Sequence, residues 1–277
     1  KTAYEIPKRD WSSDVCSSDL IARFELADPS TRVVAAISGG SDSVALCYLL
    51  AALHDLGELQ LVALAHFNHQ LRPRADDDEA FSTRVAEALA RPLIAGRGDV
   101  RGVAARERRS LEDAARTLRH RFFEEARCRL GADVVALGHT RDDQAETFLL
   151  RLVRGAGARG LAGMHPRRGA LIRPLLEIRR DELRRDLAGR GVGWVTDETN
   201  DDVDIVRNRV RAELVPMLQA RFNPSVVDTL ADAAEVARGE HWHLDAAADR
   251  WLAEFADDGL GRLDARALRS EEHTSEL

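Results

Sequence analysis

The 277-residue sequence contains three cysteines and two lysines. Both lysines lie within the first eight residues, so no later lysine can act as a nucleophile or bind a phosphate. The cysteines form no C-x-x-C pair, which leaves a disulfide framework, a zinc knuckle and an iron–sulfur site without support. No apolar run is long enough to span a bilayer, and no signal peptide is recognisable. These absences predict a soluble, cytoplasmic protein.

The two ends of the sequence are related through the DNA that would encode them. Residues 269–277 read RSEEHTSEL, and the reverse complement of a DNA encoding them also encodes SSDVCSSD, the sequence of residues 12–19. This relation is typical of a sequencing-library adapter, so we expect residues 1–20 and 269–277 to be adapter-derived and not part of the fold. The alternative is a Ser- and Asp-rich disordered N-terminus with a polar tail.

Removing both ends changes the charge balance only slightly. They contain four of the 40 basic and seven of the 47 acidic residues, which leaves 36 basic and 40 acidic residues. A mildly acidic chain can still bind nucleic acid, but any basic surface for that purpose must be local.

Short apolar runs alternate with helical patterns along most of the chain. Strands are predicted at residues 32–37, 60–67, 92–95 and 133–137, and helices at 44–56, 76–89, 110–131 and 142–155. This alternation predicts an α/β fold with a doubly wound parallel sheet, in which ligands bind at the carboxyl ends of the strands. The polar segments SGGSDS, HFNHQLR and GHTRDDQAET fall there.

The last third of the sequence predicts further helices. They are expected at residues 179–190, at 206–218 with an end near Pro216, and at 225–255. Residues 21–217 are interpreted as one α/β domain and residues 218–268 as the start of a small helical C-terminal domain. Cys47 and Cys128 are both expected to pack in the core.

A Gly- and Ser-rich segment joins the first predicted strand to the first predicted helix. It consists of Ser38, Gly39, Gly40, Ser41, Asp42 and Ser43. Adjacent glycines permit a close approach of the backbone, and amides at a helix N-terminus bind anions. Phosphate would repel Asp42 unless a divalent cation bridged the two, which predicts a magnesium ligand. The Walker A pattern is absent, and a turn that merely caps a helix is the alternative.

These segments together resemble known families. SGGxDS after a first strand resembles the signature of the ATP pyrophosphatases, which have a Rossmann-like, adenine nucleotide alpha hydrolase-like fold. HFNHQLR (66–72), GHTRDDQAET (138–147) with the following LLRLVRGAGARGLAGM, IRPLL (172–176), DETN (197–200) and RNRVR (207–211) resemble tRNA(Ile)-lysidine synthases. The resemblance covers residues 32–216. It departs at Asn68, where an acidic residue is often expected, which weakens any role for that side chain.

The resemblance implies a reaction and a set of site residues. ATP with Mg²⁺ adenylates C2 of the wobble cytidine in a tRNA(Ile) with the anticodon CAU, and the amino group of free L-lysine then displaces AMP. The implied catalytic residues are Asp42, Asp143, Glu146 and Arg207. ATP is expected to contact the Ser38–Ser43 segment, His66, Gly138 and His139, with Asp42 on the metal. Lysine or tRNA is expected to contact Asp142, Arg154, Arg159 and Arg211.

Several alternatives remain open at this point. Asp142 and Asp143 could simply favour a helix N-terminus, and His66 and His69 could be ordinary loop or core histidines. Arg209 is better interpreted as part of a solvated basic face. Rival functions are another ATP pyrophosphatase, such as a tRNA thiolase or an amidotransferase-linked synthetase, and a non-catalytic RNA- or nucleotide-binding module. No membrane partner is expected, and an oligomer is possible.

Overall fold

The computed structural model describes residues 21–70, 75–196 and 202–255. The strands are β1 (Arg32–Ala36), β2 (Gln60–Asn68), β3 (Leu93–Arg97), β4 (Val134–Ala136), β5 (Arg167–Arg168) and β6 (Leu171–Ile172). The helices are α1 (Ser41–Asp55), α2 (Ala75–Ala88), α3 (Val100–Glu107), α4 (Leu111–Leu130), α5 (Arg141–Val153), α6 (Ala158–Leu161), α7 (Arg180–Gly189), α8 (Val206–Arg209), α9 (Val215–Arg221) and α10 (Val226–Phe255). A π-helical segment, Val210–Leu214, joins α8 to α9.

The strands form one sheet in the order β3-β2-β1-β4-β6-β5. All neighbouring pairs are parallel except β5 and β6, which form a short antiparallel pair. The predicted α/β fold is confirmed. The chain runs outward from β1 to β3 and then returns to the other side of β1 as β4, so the strand order reverses between β1 and β4. In such sheets the crevice at this reversal is the usual ligand site.

Apolar side chains cover both faces of the sheet. In β1, Val33 and Ala35 belong to one buried cluster, and Val34 and Ala36 belong to another. This alternation follows from the two-residue period of a strand. The first cluster includes much of α1 together with Leu183 and Leu187 of α7, whereas the second contains Phe123 of α4.

The ends of α4 were predicted from sequence and are confirmed. The Ser110 side chain accepts a hydrogen bond from the backbone N–H of Asp113, which caps the first turn. Gly131 ends the helix with φ +58°, a left-handed conformation that glycine adopts without steric cost.

The predictions for the two cysteines have different outcomes. Cys47 is buried, as expected, but Cys128 is exposed, so its predicted core position is wrong. The buried side chains of α4 include Phe123 and Ala126. At about 100° per residue, Cys128 lies on the side of the helix opposite Ala126. The prediction treated cysteine as an apolar residue, and the residue type alone did not indicate the exposed face of α4 on which Cys128 lies.

The Arg-rich helix does not end near Pro216 as predicted. It continues through the π-helical segment Val210–Leu214 into α9, which ends at Arg221. Proline lacks an N–H and clashes with the fourth carbonyl before it in a regular helix. The wider turn that precedes Pro216 changes that hydrogen-bond pattern and lets the helix continue.

Helix α10 packs against α5 at its N-terminal end. Val226 and Val227 share a buried cluster with Ala145 and Leu149 of α5. Arg141, the first residue of α5, forms an ion pair at 2.7 Å with Asp228. The division into domains at residue 217 stays a prediction. The predicted motif residues 71–72 and 197–200 lie outside the described residues. Within the described ranges, no helix is long and apolar enough to cross a membrane.

The Ser110 cap offers a test of the fold. Replacing Ser110 by Ala should lower the free energy of unfolding by about 1 kcal/mol, because the N–H of Asp113 loses its acceptor. Ser110→Asp, which keeps an acceptor, is the control and should stay close to the wild type. Urea denaturation measures the free energy of unfolding of both variants. An equal decrease in the two would contradict the capping role.

Candidate active site

The loop between β1 and α1 has the geometry of an anion site. Gly39 has φ +88°, and Gly40 is the N-cap of α1, where no side chain caps the first amides. Ser43 fixes the loop, because its hydroxyl accepts from the N–H of Ser38 at 3.1 Å and donates to the carbonyl of Gly40 at 2.9 Å. Free amides and the helix dipole together attract a negatively charged group.

A second loop lies directly against this helix start. A Cβ placed on Gly138, just after β4, would be 2.9 Å from the carbonyl oxygen of Asp42 and 3.1 Å from the Cα of Ser43. Only a residue without a side chain permits this contact between two backbones. Gly138 therefore brings the segment after β4 to the first turn of α1.

The acidic start of α5 is held by a capping box. The Asp143 carboxylate accepts from the N–H and the hydroxyl of Thr140, both at 2.9 Å. The neighbouring Asp142 carboxylate accepts from the backbone N–H of Arg180, at 2.8 Å, and so fixes the start of α7. The alternative interpretation, that these acidic residues support helix ends, is thus true of both side chains, although it does not exclude a further role.

Three carboxylates and three guanidinium groups meet beside the two loops, and we call this group the ion-pair cluster. Its members are Asp42, Asp143, Glu146, Arg180, Arg207 and Arg211. Arg180 lies 2.8 Å from Asp42 and 3.0 Å from Asp143. Glu146, whose side chain is 3% exposed, lies 3.1 Å from Arg207 and 2.7 Å from Arg211. The formal charges of the cluster balance.

Electrostatics keep Asp143 and Arg180 ionised. Burial by itself would raise the pKa of Asp143, but the charges of Arg180 and Arg207 hold that pKa well below its ordinary value. Burial opposes the charge of Arg180, yet Asp143, Asp42 and Glu146 raise its pKa. A buried ion pair is strongly disrupted when one partner is lost, because the other charge remains without compensation.

The two predicted nucleotide-contacting histidines are held neutral. His66 is 3% exposed, and its Nδ1 lies 3.0 Å from the carbonyl of Ile37, the residue before the loop. Burial lowers the pKa of His66. Burial also lowers the pKa of His139 to about 3, with Arg173 and Arg207 acting in the same direction. Within the described chain, Nε2 of His66 and Nδ1 of His139 are buried without a hydrogen-bond partner. Neutral ring nitrogens of this kind suit the polar edge of a base or a ribose better than a phosphate.

The remaining predicted loop residues lie at the edge of this region. The His69 ring contacts Phe67 edge-on, with 4.8 Å between ring centroids. The Asn68 side chain is 2% exposed and donates to Asp76 at 3.2 Å and to Glu79 at 3.3 Å.

The residues present fit a magnesium ion that enters with a phosphate. Among residues 21–70, 75–196 and 202–255, no group of three or more His, Cys, Asp or Glu could hold a metal ion. Mg²⁺ commonly binds through one or two carboxylates and the phosphates of its substrate. Asp42, in the first turn of α1, is placed for that arrangement.

Sequence reasoning missed part of the basic surroundings. The charge of Arg116 in α4 acts on Arg119, Arg151 and Arg173, and that of Arg168 acts on Arg151 and Arg173; we call these five the basic group. Burial and the charges of Arg116 and Arg168 lower the pKa of Arg173 to about 10. Burial, Arg116 and Arg207 lower the pKa of Arg119, so this group adjoins the ion-pair cluster. Its members come from α4, α5, β5 and the segment after β6, and they share no sequence pattern.

Arg180 was also missed. It is the first residue of α7, and its sequence neighbourhood resembles an ordinary helix start. The available indication was charge: three acidic residues expected at one ligand site require nearby cations.

Arg154 and Arg159 are not brought to the cluster. Both are exposed, at the end of α5 and in α6. The rise of 1.5 Å per residue places Arg154 about 16 Å along α5 from Asp143. Arg209 is exposed and donates to the carbonyl of Val203, in agreement with the interpretation as a solvated position.

Comparisons with known proteins identify relatives of this chain. A family model described as a PP-loop domain matches residues 16–218. The tRNA(Ile)-lysidine synthase of Geobacter sulfurreducens is 47% identical over 75% of this chain and 44% of that protein. The protein of the same name from Parabacteroides distasonis is 40% identical over 82% of this chain and 49% of that protein. This chain spans about half the length of the curated relatives it matches.

A solved structure supports the fold independently. The U34-tRNA thiolase NcsA from Methanococcus maripaludis, solved with its [4Fe-4S] cluster, superposes with a TM-score of 0.64. The alignment covers 80% of this chain and 78% of the thiolase at 15% identity, so the likeness concerns the fold alone.

The contact at Gly138 can be tested directly. Gly138→Ala should displace the first turn of α1, because its Cβ would overlap the backbone of Asp42. We expect an ATP analogue to bind at least about tenfold more weakly, since the amides at the helix N-terminus would be misaligned. Gly157→Ala, where a Cβ meets nothing within 4 Å, is the matched control. Equal analogue affinity in the two variants, by calorimetry, would refute the contact.

His139 predicts a pH dependence of stability. Its pKa of about 3 in the folded protein lies below that of an unfolded histidine, about 6.5. The unfolded state therefore binds the proton first, so the free energy of unfolding should fall as the pH drops below about 6.5. His139→Gln should make that fall less steep in urea denaturation between pH 8 and pH 5. An unchanged slope would show that His139 titrates alike in both states.

Proposed function

The chain belongs to the PP-loop domain family, and from that membership we propose that it ligates free lysine to C2 of the wobble cytidine in a tRNA(Ile) with the anticodon CAU. The reaction converts ATP to AMP and pyrophosphate and makes the protein an ATP-dependent carbon–nitrogen ligase. One observation carries the proposal. The loop after β1 and the acidic start of α5 meet at the strand-order reversal, in a chain 35–47% identical to proteins named tRNA(Ile)-lysidine synthase.

The proposed chemistry has two steps. In the first, the C2 carbonyl oxygen of the cytidine attacks the α-phosphorus of ATP, and the bond to the β-phosphate breaks, releasing pyrophosphate. In the second, the amino group of lysine attacks C2 and loses a proton, and the C2–O bond breaks, so that the oxygen leaves with AMP. Negative charge develops on phosphate oxygens in both steps, and preorganised donors stabilise such charge.

The loop Ser38–Ser43 is the proposed phosphate site. Its support is the uncapped start of α1, the left-handed Gly39 and the hydrogen bonds of Ser43. When bound, Mg²⁺ would supply positive charge that offsets the negative charge developing on the phosphates. Asp42 is the proposed ligand because it lies in the first turn of α1. The neutral nitrogens of His66 and His139 are proposed to border the adenine or ribose.

The far side of the cluster is the proposed acceptor site. Asp143 and Glu146 are assigned to the lysine ammonium or the cytidine, and Arg207 and Arg211 to the phosphate of the adenylate. Support comes from their contacts, because both arginines already lie within 3.2 Å of a carboxylate oxygen. Asp142 would act on the substrate only indirectly, through the start of α7 that it caps.

The tRNA is proposed to bind along the exposed arginines beside this site. Arg154 and Arg159 are solvent-accessible, and Arg151 of the basic group donates to the carbonyl of Gly160 in α6 and to that of Gly163 just after it. Arginine side chains bind nucleic-acid phosphates and position the strand without reading its sequence. Affinity for tRNA should therefore weaken as salt is raised.

The rival functions have less support. A thiolase using catalytic cysteines requires a pair, and the described cysteines are the buried Cys47 and the exposed Cys128, on different helices. A module that only binds a nucleotide or RNA has no need for a carboxylate in the first turn of its phosphate loop.

Asp42 provides the test of the activity. Asp42→Asn should reduce lysine-dependent release of AMP and pyrophosphate by at least about a hundredfold, because the carboxylate that would hold the charge-offsetting cation is lost. The assay contains ATP, Mg²⁺ and unmodified tRNA(Ile) with the anticodon CAU, with and without lysine. Asp55→Asn, at the other end of α1 and exposed, is the matched control.

The outcomes separate the parts of the proposal. Release that requires lysine in the wild type and fails in Asp42→Asn supports both reaction and site. Release of AMP and pyrophosphate that does not depend on lysine would support the proposed ATP chemistry but overturn lysine as the acceptor substrate. Full activity in Asp42→Asn would overturn the site assignment.

A further inference from the structure

Arg180 contacts all three carboxylates of the ion-pair cluster through different nitrogens. Nε lies 2.8 Å from Asp42, Nη2 lies 3.0 Å from Asp143, and Nη1 lies 3.5 Å from Glu146. The side chain is 13% exposed, so these pairs are only weakly screened by solvent. One guanidinium thus neutralises the very carboxylates assigned to the metal and to the acceptor substrate.

The three carboxylates that pair with Arg180 differ in the number of other arginines that they contact. Asp143 and Glu146 each also contact Arg207 and Arg211. Within the described part of the chain, Asp42 has Arg180 as its only ion-pair partner. A cation bound at Asp42 must therefore compete with this guanidinium above all.

Helix α7 also reaches the phosphate loop. Arg184 lies one turn after Arg180 on the same face, and its Nε lies 3.3 Å from the hydroxyl of Ser41. Asp42 and Ser41 are the first two residues of α1, so both arginines already lie beside the amides assigned to phosphate. The loop itself has no basic residue, and α7 supplies the positive charge that it lacks.

We propose that Arg180 is an exchangeable counterion, whose guanidinium pairs with Asp42, Asp143 and Glu146 and moves to the phosphates of ATP when Mg²⁺ takes its place beside the carboxylates. This inference rests on the proposed function. Three carboxylates and three guanidinium groups give the cluster no net charge, so it attracts a bare divalent cation weakly. Mg·ATP brings the cation together with phosphates, which arginine binds strongly. Arg180 thereby couples metal entry to nucleotide entry.

The test measures two affinities that should change in opposite directions. Arg180→Gln should bind Mn²⁺ without nucleotide about tenfold more tightly, because a net negative cluster remains. The same variant should bind a non-hydrolysable ATP analogue with Mg²⁺ about tenfold more weakly, since a charge-assisted phosphate contact is lost. Electron paramagnetic resonance of free Mn²⁺ and calorimetry give the two values.

Two further variants control the experiment. Arg180→Lys keeps the charge and should bind Mn²⁺ as the wild type does, while the analogue binds with intermediate affinity because the planar fork is lost. Arg185→Gln removes an exposed arginine of the same helix, which pairs with Asp181 on the surface, and should match the wild type in both measurements.

Each outcome decides the proposal. Partial unfolding of Arg180→Gln would weaken both affinities, so tighter Mn²⁺ binding cannot arise from damage. Unchanged Mn²⁺ binding, or weaker binding by a variant whose urea denaturation curve matches the wild type, would show that Arg180 is a fixed structural ion pair and would overturn the inference. A wild-type chain that binds the analogue but shows no lysine-dependent AMP release would overturn lysine ligation and leave the exchange intact. Failure of the wild type to bind the analogue would overturn both.

Discussion

The balance of charge between three carboxylates and three guanidinium groups, all partly or fully buried, is the interaction on which the site depends. Asp42 comes from α1, Asp143 and Glu146 from α5, Arg180 from α7, and Arg207 and Arg211 from the Arg-rich helix that follows. Each ion pair therefore joins elements far apart in sequence. Loss of any one member leaves a poorly solvated charge without its partner, which costs more than the pair contributes.

The backbone contact at Gly138 places this cluster beside the phosphate loop. The loop after β1 and the segment after β4 follow adjacent parallel strands, and a side chain at Gly138 would hold them apart. The same contact sets the start of α5 next to the start of α1, so two helix N-termini with acidic first turns face one site. Their carboxylates require the arginines that α7 and the Arg-rich helix provide.

The absence of lysine from residues 9–277 means that arginine supplies the cationic side chains of the site. Arginine remains charged at any pH the protein encounters, and its planar fork reaches several oxygens at once. A guanidinium can therefore bridge three carboxylates, as Arg180 does, and can equally bind phosphate oxygens. Because the cluster is neutral as a whole, it favours ligands in which a cation and an anion arrive together, and Mg·ATP has that composition.

The sequence by itself determined the alternation of strands and helices, the caps of α4 and the position of the Gly- and Ser-rich loop before α1, because these depend on local periodicity and on single Gly and Ser residues. It also supplied Asp42, Asp143, Glu146, Arg207 and Arg211 as candidates through their motifs. Only the tertiary structure decided that Cys128 is exposed, that the Arg-rich helix continues past Pro216, and that Arg180 joins the cluster. Which face of a helix is buried, whether a helix tolerates a proline and which arginine neutralises a carboxylate all depend on the residues that pack nearby. Those residues are distant in the sequence, so a local pattern does not reveal them.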